Sequence, residues 1–471
     1  MTQDSPFSWR FVTPLFVGST LNPVNSSLIA TALVPIAAGI HVSVGQTTAL
    51  ISALYLATAI GQPTAGKLSQ EFGPRRIFLA GILAVLTGGI VGALGGDLTT
   101  LIVARVLIGI GTATAYPSAM LLVRRRADQA GMAEPPGGVL GGLVITGTVT
   151  AALGLPIGGV LVNAWGWRTT FLVNIPFALV ALAMALAWIP ADARAERRTP
   201  RDIAAAIDLT GIAAFAGTLV ALLVFLLSLP RLDWVALGLA VVIAAVLVWW
   251  ELRVDGPFFD VRLLATNLAL TRTYLRYAVT TLCIYTVLYG VTQWLEAGRG
   301  LSSQETGLLL LPMSAIGAAL AQPLSRRNLV RLPLLLAAGS CVVGSLGVVF
   351  LGAATPIVWI VIVTLVFGIT LGTTASGNQT TLYAQADAAQ IGTASGLLRS
   401  FGYIGSIASS AIISVAFHSR IDDPGLHRIG WIMVAVSVVG LLLLLTDRHI
   451  LSQVRSRSRS TTTESKGMRQ P

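Results

Sequence analysis

Residues Gly61–Arg76 read GQPTAGKLSQEFGPRR and lie between two long apolar runs. One run ends at Gly66 and the next begins at Ile77, leaving about nine polar residues punctuated by glycine and proline. Lys67, Arg75 and Arg76 give this loop net positive charge despite Glu71. Short basic loops between membrane spans stay on the cytoplasmic side. The stretch therefore predicts its own side of a membrane and, by alternation, the side of every other loop.

Composition points the same way. The 471 residues are 54% hydrophobic and 11% charged, with mean hydropathy +0.79, whereas soluble domains carry about 25% charged residues. Apolar runs of about 20 residues recur along the chain, the length that crosses roughly 30 Å of hydrocarbon. The 48 glycines suit helices whose backbones approach closely inside a bilayer. A formal net charge of +11 is spread over loops and not gathered in one patch. That pattern calls for a lipid bilayer as partner and not for nucleic acid. Cys283 and Cys341 lie inside apolar runs without a CxxC or histidine partner and read as packing residues. The first apolar run is too long for a cleavable leader, and Asn22, Pro23, Asn25, Ser26 and Ser27 interrupt it.

Fourteen spans are expected. The first six cover 11–38, 46–66, 77–95, 99–122, 138–162 and 168–190. Two more follow at 206–229 and 233–252, then six at 270–295, 304–324, 332–352, 356–384, 391–417 and 430–447. This places both termini in the cytoplasm. Inner loops then hold Arg10, Lys67, the Arg75–Arg76 pair, Arg124–Arg126, Arg194–Arg201, Arg253–Arg276, Arg326–Arg331 and the residues from Arg448 on. Outer loops hold only Arg168, Arg231, Arg299, Arg420 and Arg428.

An internal repeat supports the plan. Ala59-Ile60-Gly61 is echoed by Ala315-Ile316-Gly317, Leu79-Ala80-Gly81 by Ala337-Ala338-Gly339, and Gly109-Ile110 by Gly368-Ile369, at offsets of about 256–259 residues. Both copies run the same way, as in transporters built from parallel halves. The expected domains are a cytoplasmic N-terminus (1–10), a six-helix half (11–190), a linker with the two extra helices (191–267), a second half (268–447) and a disordered cytoplasmic tail (448–471).

Several stretches carry a family resemblance. Gly66-Lys67-Leu68-Ser69-Gln70-Glu71-Phe72-Gly73-Pro74-Arg75-Arg76 resembles the helix-two to helix-three loop of the major facilitator superfamily, with Gln70 where the family has an acid. LIVARVLIGIG from Leu101 resembles that family's helix four, with Arg105 inside an apolar run. Gly154-Leu155-Pro156-Ile157-Gly158-Gly159 resembles the exporters' helix-five motif. WGWRTTFLVNIP, from Trp165 to Pro176, closely resembles a stretch of the fourteen-helix drug:proton antiporters, and its aromatics also suit an interface belt. Asn25-Ser26-Ser27 onward resembles their helix one, with Asn25 at the acidic position. Gly392–Gly405 resembles their helix eleven and contains Arg399.

The resemblance implies an all-α integral membrane protein of major-facilitator fold, with fourteen helices arranged 6+2+6 in two pseudo-symmetric halves. It implies a secondary transporter in the inner membrane that exports small amphipathic compounds such as drugs, coupled to protons, with no cofactor or metal and no enzymatic activity. Importing or facilitating a metabolite is the alternative; a membrane sensor or enzyme is remoter still, since the four histidines stand apart. The implied conformational residues are Gly66, Gly73, Arg75, Arg76, Gly154, Pro156, Gly158 and Gly159.

Intramembrane charge costs several kcal/mol unless it meets a cavity or a partner. Arg105 is therefore a coupling candidate, or else it snorkels to the outer face. No span centre holds an acid, so a proton site falls to boundary carboxylates such as Asp97, Glu134 or Glu296, or Arg105 acts without one, or transport is uncoupled. Cavity candidates are Asn22, Asn25, Tyr55, Tyr116, Asn174, Tyr285, Tyr289, Gln293, Trp294, Asn378, Gln379 and Arg399. Two arginines without a buried acid favour neutral or anionic amphipathic substrates.

Overall fold

The computed structural model describes residues 6–132, 137–192, 199, 204–228, 232–254, 256–258, 260–326, 330–385, 391–418 and 420–447. Glu134 and the tail from residue 448 lie outside these described residues.

Every regular element among the described residues is a helix. The first six long helices are α1 (Trp9–Gly39), α2 (Val44–Phe72), α3 (Pro74–Leu94), α4 (Leu98–Gln129), α5 (Gly137–Trp165) and α6 (Thr169–Trp188). Next come α7 (Leu209–Ser228) and α8 (Trp234–Glu251), and a short helix, Val261–Thr266. The last six are α9 (Leu268–Gly298), α10 (Ser303–Arg326), α11 (Arg331–Val349), α12 (Ile357–Gln385), α13 (Ile391–Ala416) and α14 (Asp423–Leu445). Thirteen helices among the described residues are long and apolar enough to cross a membrane. The expected span 138–162 falls in α5, whose described apolar stretch, Val149–Trp165, is shorter. Large apolar side chains such as Val241, Val242 and Trp249 of α8 are exposed outward, as lipid-facing surfaces require.

Helix ends follow local chemistry. Ser43 and Gln46 form a capping box at the start of α2. Asp97, Asp233 and Asp422 accept backbone N–H bonds at the starts of α4, α8 and α14. Gly73 joins α2 to α3 at φ 95°, a left-handed conformation that a side chain would strain. Two helices depart from α geometry. Helix α1 tightens into a 3-10 turn at Ile29–Ala32, and α9 contains two π turns, Val287–Val291 and Trp294–Gly298.

The packing is doubled. Within the first six helices α1 packs on α4, α5 and α6, α2 on α4, and α3 on α4 and α6. Each pairing recurs eight labels later: α9 with α12, α13 and α14, α10 with α12, α11 with α12 and α14. The sequence echo is the cause. A Cβ at Gly109 would stand 2.8 Å from the Leu54 carbonyl oxygen, and one at Gly368 2.7 Å from that of Met313, so both crossings need bare backbone. The two largest contacts between the sets, α2 with α13 and α5 with α10, exchange under the same doubling, and α1 also touches α9 and α10. Helices α7 and α8 pair with each other, and α7 touches both α2 and α13. Asp208 ties this hairpin together by accepting from the Gly211 and Phe258 N–H groups and the Trp250 indole. Lys67 of α2 donates to the Gly256 carbonyl at 2.8 Å.

Candidate functional site

A cavity of about 380 Å³ lies between the two helix sets. Its walls come from α1, α2, α4 and α5 on one side and α9, α10, α12 and α13 on the other, again a doubled set. Lining residues such as Ser19, Gln62, Tyr277 and Arg399 fall between the helix middles and the ends that carry Arg10, Lys67, Arg75 and Arg272. At the other end the helix sets meet. Tyr289 donates its phenol O–H to the Ser26 carbonyl at 2.8 Å, which leaves Tyr55 to donate to Tyr289, also at 2.8 Å. Ser52 and Ser410 share a hydrogen bond, and Asn163 donates to Gln304.

The glycine-proline run of α5 lies at the same end. Gly154 and Gly158 press on Ser27 and Leu28 of α1, and Gly159 presses on the Ser303 carbonyl of α10. A Cβ at Gly307 would stand 2.7 Å from the Leu155 carbonyl and 3.3 Å from Pro156. The motif residues thus form a three-helix crossing that closes one end of the cavity.

Arg105 is only 2% exposed and does not reach the surface. Its Nη1 and Nη2 donate to the Asn25 carbonyl and its Nε to the Leu50 carbonyl, each at 3.2 Å, so it ties α4 to α1 and α2. Asn25 and Asn174 pair with each other through their side-chain amides. Both are buried behind the wall and not in the cavity.

Of the expected cavity residues, Asn22, Tyr116, Tyr285 and Arg399 line it. Asn22 donates to the Thr112 hydroxyl at 3.0 Å. Tyr55 and Tyr289 are buried in the closed end. Gln293 is fully buried and its amide atoms make no hydrogen bond among the described residues. Trp294 donates its indole N–H to Asp423 at 2.9 Å, a packing contact with α14. Asn378 donates to the Thr374 carbonyl beside a small separate pocket of about 20 Å³. Gln379 is half-buried and not on the cavity wall. The π turns of α9 rotate Gln293 and Trp294 off the face that a regular helix would give them.

The boundary carboxylates differ. Asp97 is an exposed N-cap; the Thr100 hydroxyl and backbone N–H hold its carboxyl below the usual range. Glu296 is 7% exposed, in the second π turn of α9. Its neighbour is the Ser303 side chain at the start of α10, and neither carboxyl oxygen completes a hydrogen bond among the described residues.

The basic loop is organised by an acid that the sequence reading passed over. Asp192, just beyond α6, accepts from the Arg75 and Arg76 N–H groups at 3.3 and 2.9 Å and lies 3.7 Å from Arg125. It stands against Gly73, while Gln70 is exposed and Gly66 faces open space. The side chain of Arg75 reaches the Leu186 carbonyl and that of Arg76 the Phe72 carbonyl. Of the two tryptophans before α6, Trp165 is 71% exposed, whereas Trp167 is buried against Gly39 of α1. Sequence reasoning also missed Gln62 and Tyr277, cavity residues that only the helix register reveals.

Doubled membrane helices around a shared central cavity define a multi-pass transporter. Comparison with known proteins makes this specific. The pattern of the Major Facilitator Superfamily matches residues 15–410, and the chain belongs to that family. It is 31% identical over 443 residues to the MFS-type transporter YwoD of Bacillus subtilis, covering 92% of this chain and 95% of the relative. It is 30% identical over 444 residues to the tetracenomycin C resistance and export protein of Streptomyces glaucescens, covering 88% and 77%. Among solved structures, the peptide transporter POT in complex with sulfate shares the fold at TM-score 0.67 and 16% identity, over 94% of this chain and 95% of the other.

Proposed function

We propose that this protein exports small amphipathic compounds across the cytoplasmic membrane by alternating access, using protons as the driving ion. In this reading α1–α6 and α9–α14 are two six-helix halves with α7–α8 between them, giving fourteen spans arranged 6+2+6. The basic loops and both termini face the cytoplasm. The observation that carries the reading is the cavity, lined by both helix sets on the basic side and closed on the other side by the α5–α10 and α2–α13 crossings. The glycine-proline run at that closure and the resistance and export function in the name of a 30% identical relative support an outward direction.

Glu296 is the proton carrier in this reading. It is buried beside Ser303, whose carbonyl touches Gly159 at the α5–α10 crossing. An uncompensated carboxylate there costs several kcal/mol, so proton exchange at Glu296 is tied to whether that crossing is shut. Arg105 acts alongside as a fixed tie among α1, α2 and α4.

The test is proteoliposomes loaded with a pH-sensitive dye and given a panel of amphipathic drugs. Compound-dependent proton movement is expected in the wild type. In Glu296→Gln, compound exchange is expected to persist while proton movement disappears. An unchanged proton signal in that variant removes Glu296 from the role. Compound exchange without any pH change in the wild type leaves an uncoupled facilitator.

A further inference from the structure

Arg399 is the one charged side chain among the described residues that line the cavity. No acid accompanies it on the wall, and no ion pair joins it to a carboxylate among the described residues. Its neighbours are phenols. The guanidinium carbon sits 4.0 Å from the centre of the Tyr116 ring on α4, and Tyr277 and Tyr403 lie close. Phenol rings ease the burial of a cation through their faces without neutralising it. A fixed positive charge in an apolar chamber draws negative charge from solution, and planar guanidinium groups grip carboxylates with two parallel hydrogen bonds.

The rest of the wall is aromatic and apolar. Tyr277 and Tyr285 of α9 face the chamber, with Leu288, Met313 and Leu371 around them. Flat rings stack on such surfaces with little demand on orientation. Asn22, Gln62 and Thr112 supply neutral polar groups on the opposite wall. A lipophilic cation finds no carboxylate here and meets repulsion from Arg399.

We infer that the cavity selects planar aromatic monoanions, with the acidic group on Arg399 and the rings against Tyr277 and Tyr285. This rests on the export reading above and narrows its substrate class. The Tyr116–Arg399 contact bridges α4 and α13, so an anion seated there touches both helix sets at once. A headgroup of an anionic lipid offers the same chemistry to Arg399, and the assay separates the two.

The experiment uses full-length protein in nanodiscs of phosphatidylcholine alone and three probes sharing one ring system: naphthalene-2-carboxylate, naphthalene-2-carboxamide and 2-naphthylmethylammonium. Isothermal titration is expected to give the carboxylate about tenfold or more tighter binding than the carboxamide, the scale of one charge-assisted hydrogen-bonded pair. The ammonium probe is expected to bind weakest. Arg399→Gln should bring the carboxylate down to the carboxamide's affinity while carboxamide binding holds, and Arg399→Lys should keep part of the preference. Phosphatidylglycerol added to the discs should weaken carboxylate binding less than tenfold; complete displacement assigns Arg399 to lipid and overturns the inference. Equal binding of all three probes, no binding of any, or a parallel loss of all three in Arg399→Gln also overturns it. Export of neutral or cationic drugs in the proteoliposome assay alongside such a result leaves the transporter reading intact, so the two failures are distinguishable.

Discussion

Asn25 and Asn174 bind each other twice: Asn25 Nδ2 donates to Asn174 Oδ1 at 2.6 Å, and Asn174 Nδ2 donates back to Asn25 Oδ1 at 3.0 Å. The second Asn25 hydrogen goes to the Leu21 carbonyl, while its own backbone carbonyl receives the Arg105 fork. Asn25 of α1 therefore carries one tie to α4 and one to α6. Replacing Asn174 with leucine strands the Asn25 amide, at a cost of about 1–3 kcal/mol. Replacing both residues with leucine should cost less than the sum of the single changes. Thermal unfolding in detergent across the double-mutant cycle measures the coupling.

Arg105→Lys keeps the charge but cannot span the Leu50 and Asn25 carbonyls together. The expected outcome is a monodisperse protein by size exclusion with transport reduced about tenfold or more, as expected for a lost charge-assisted bond of about 1.5–3 kcal/mol. Wild-type rates in this variant would show that the α1–α2–α4 tie is dispensable.

Gly307 leaves no room for a side chain beside the Leu155 carbonyl. Gly307→Leu should therefore prevent the α5–α10 crossing from closing. A single cysteine placed at Ala151, on the cavity wall, should then react with impermeant thiol reagents added from the side away from the basic loops, in a background lacking Cys283 and Cys341. Without the Gly307 change, that cysteine should react slowly from this side.

Asp97 is held ionised by Thr100, and its carboxyl lies below the ordinary range. A lowered folded-state pKa contributes stability that is present at neutral pH and fades as pH falls through that value. Between about pH 6 and 8 the group does not titrate. Asp97→Asn should thus leave the pH profile of transport unmoved in that window, whereas Glu296→Gln should flatten it. Matched pH–rate curves for the two variants check this.

Arg276 and Asp447 form a buried ion pair at 2.8 Å, and Thr273 takes another guanidinium bond. Their side chains are 5% and 0% exposed. Removing one partner alone, as in Asp447→Leu, should cost about 3–5 kcal/mol because the other charge is left buried. Arg276→Met combined with Asp447→Leu should recover most of it. Thermal melts of the two variants beside the wild type give the comparison.

Thirteen helices long and apolar enough to span, and the doubled packing, were legible because they rest on hydropathy and repeated residue patterns, which can be read locally along the chain. The α5 run and the Trp165–Pro176 stretch were legible as strings of residues. What those strings touch was not. That Gly159 meets Ser303, or that Asn25 meets Asn174, depends on helix rotation and depth, which periodicity alone leaves open. Asp192 was overlooked because it sits in a charged stretch read as linker, where an acid looks solvated. Gln293 and Trp294 were legible only as residue types that suit a cavity wall, and the π turns of α9 turn them elsewhere. Arg276 was counted as a topology determinant, yet Asp447 draws it inside.

Helix α7 leans on α2 and α13 together, through Phe215 and Leu219 against Leu56, Ile60 and Ile404. The α5–α10 seam has no comparable cover among the described residues. The molecule thus has a shielded flank and a bare one. A lipid-dissolved solute drifting sideways toward the chamber meets a helix on one side of the protein and only a line of contact between two helices on the other.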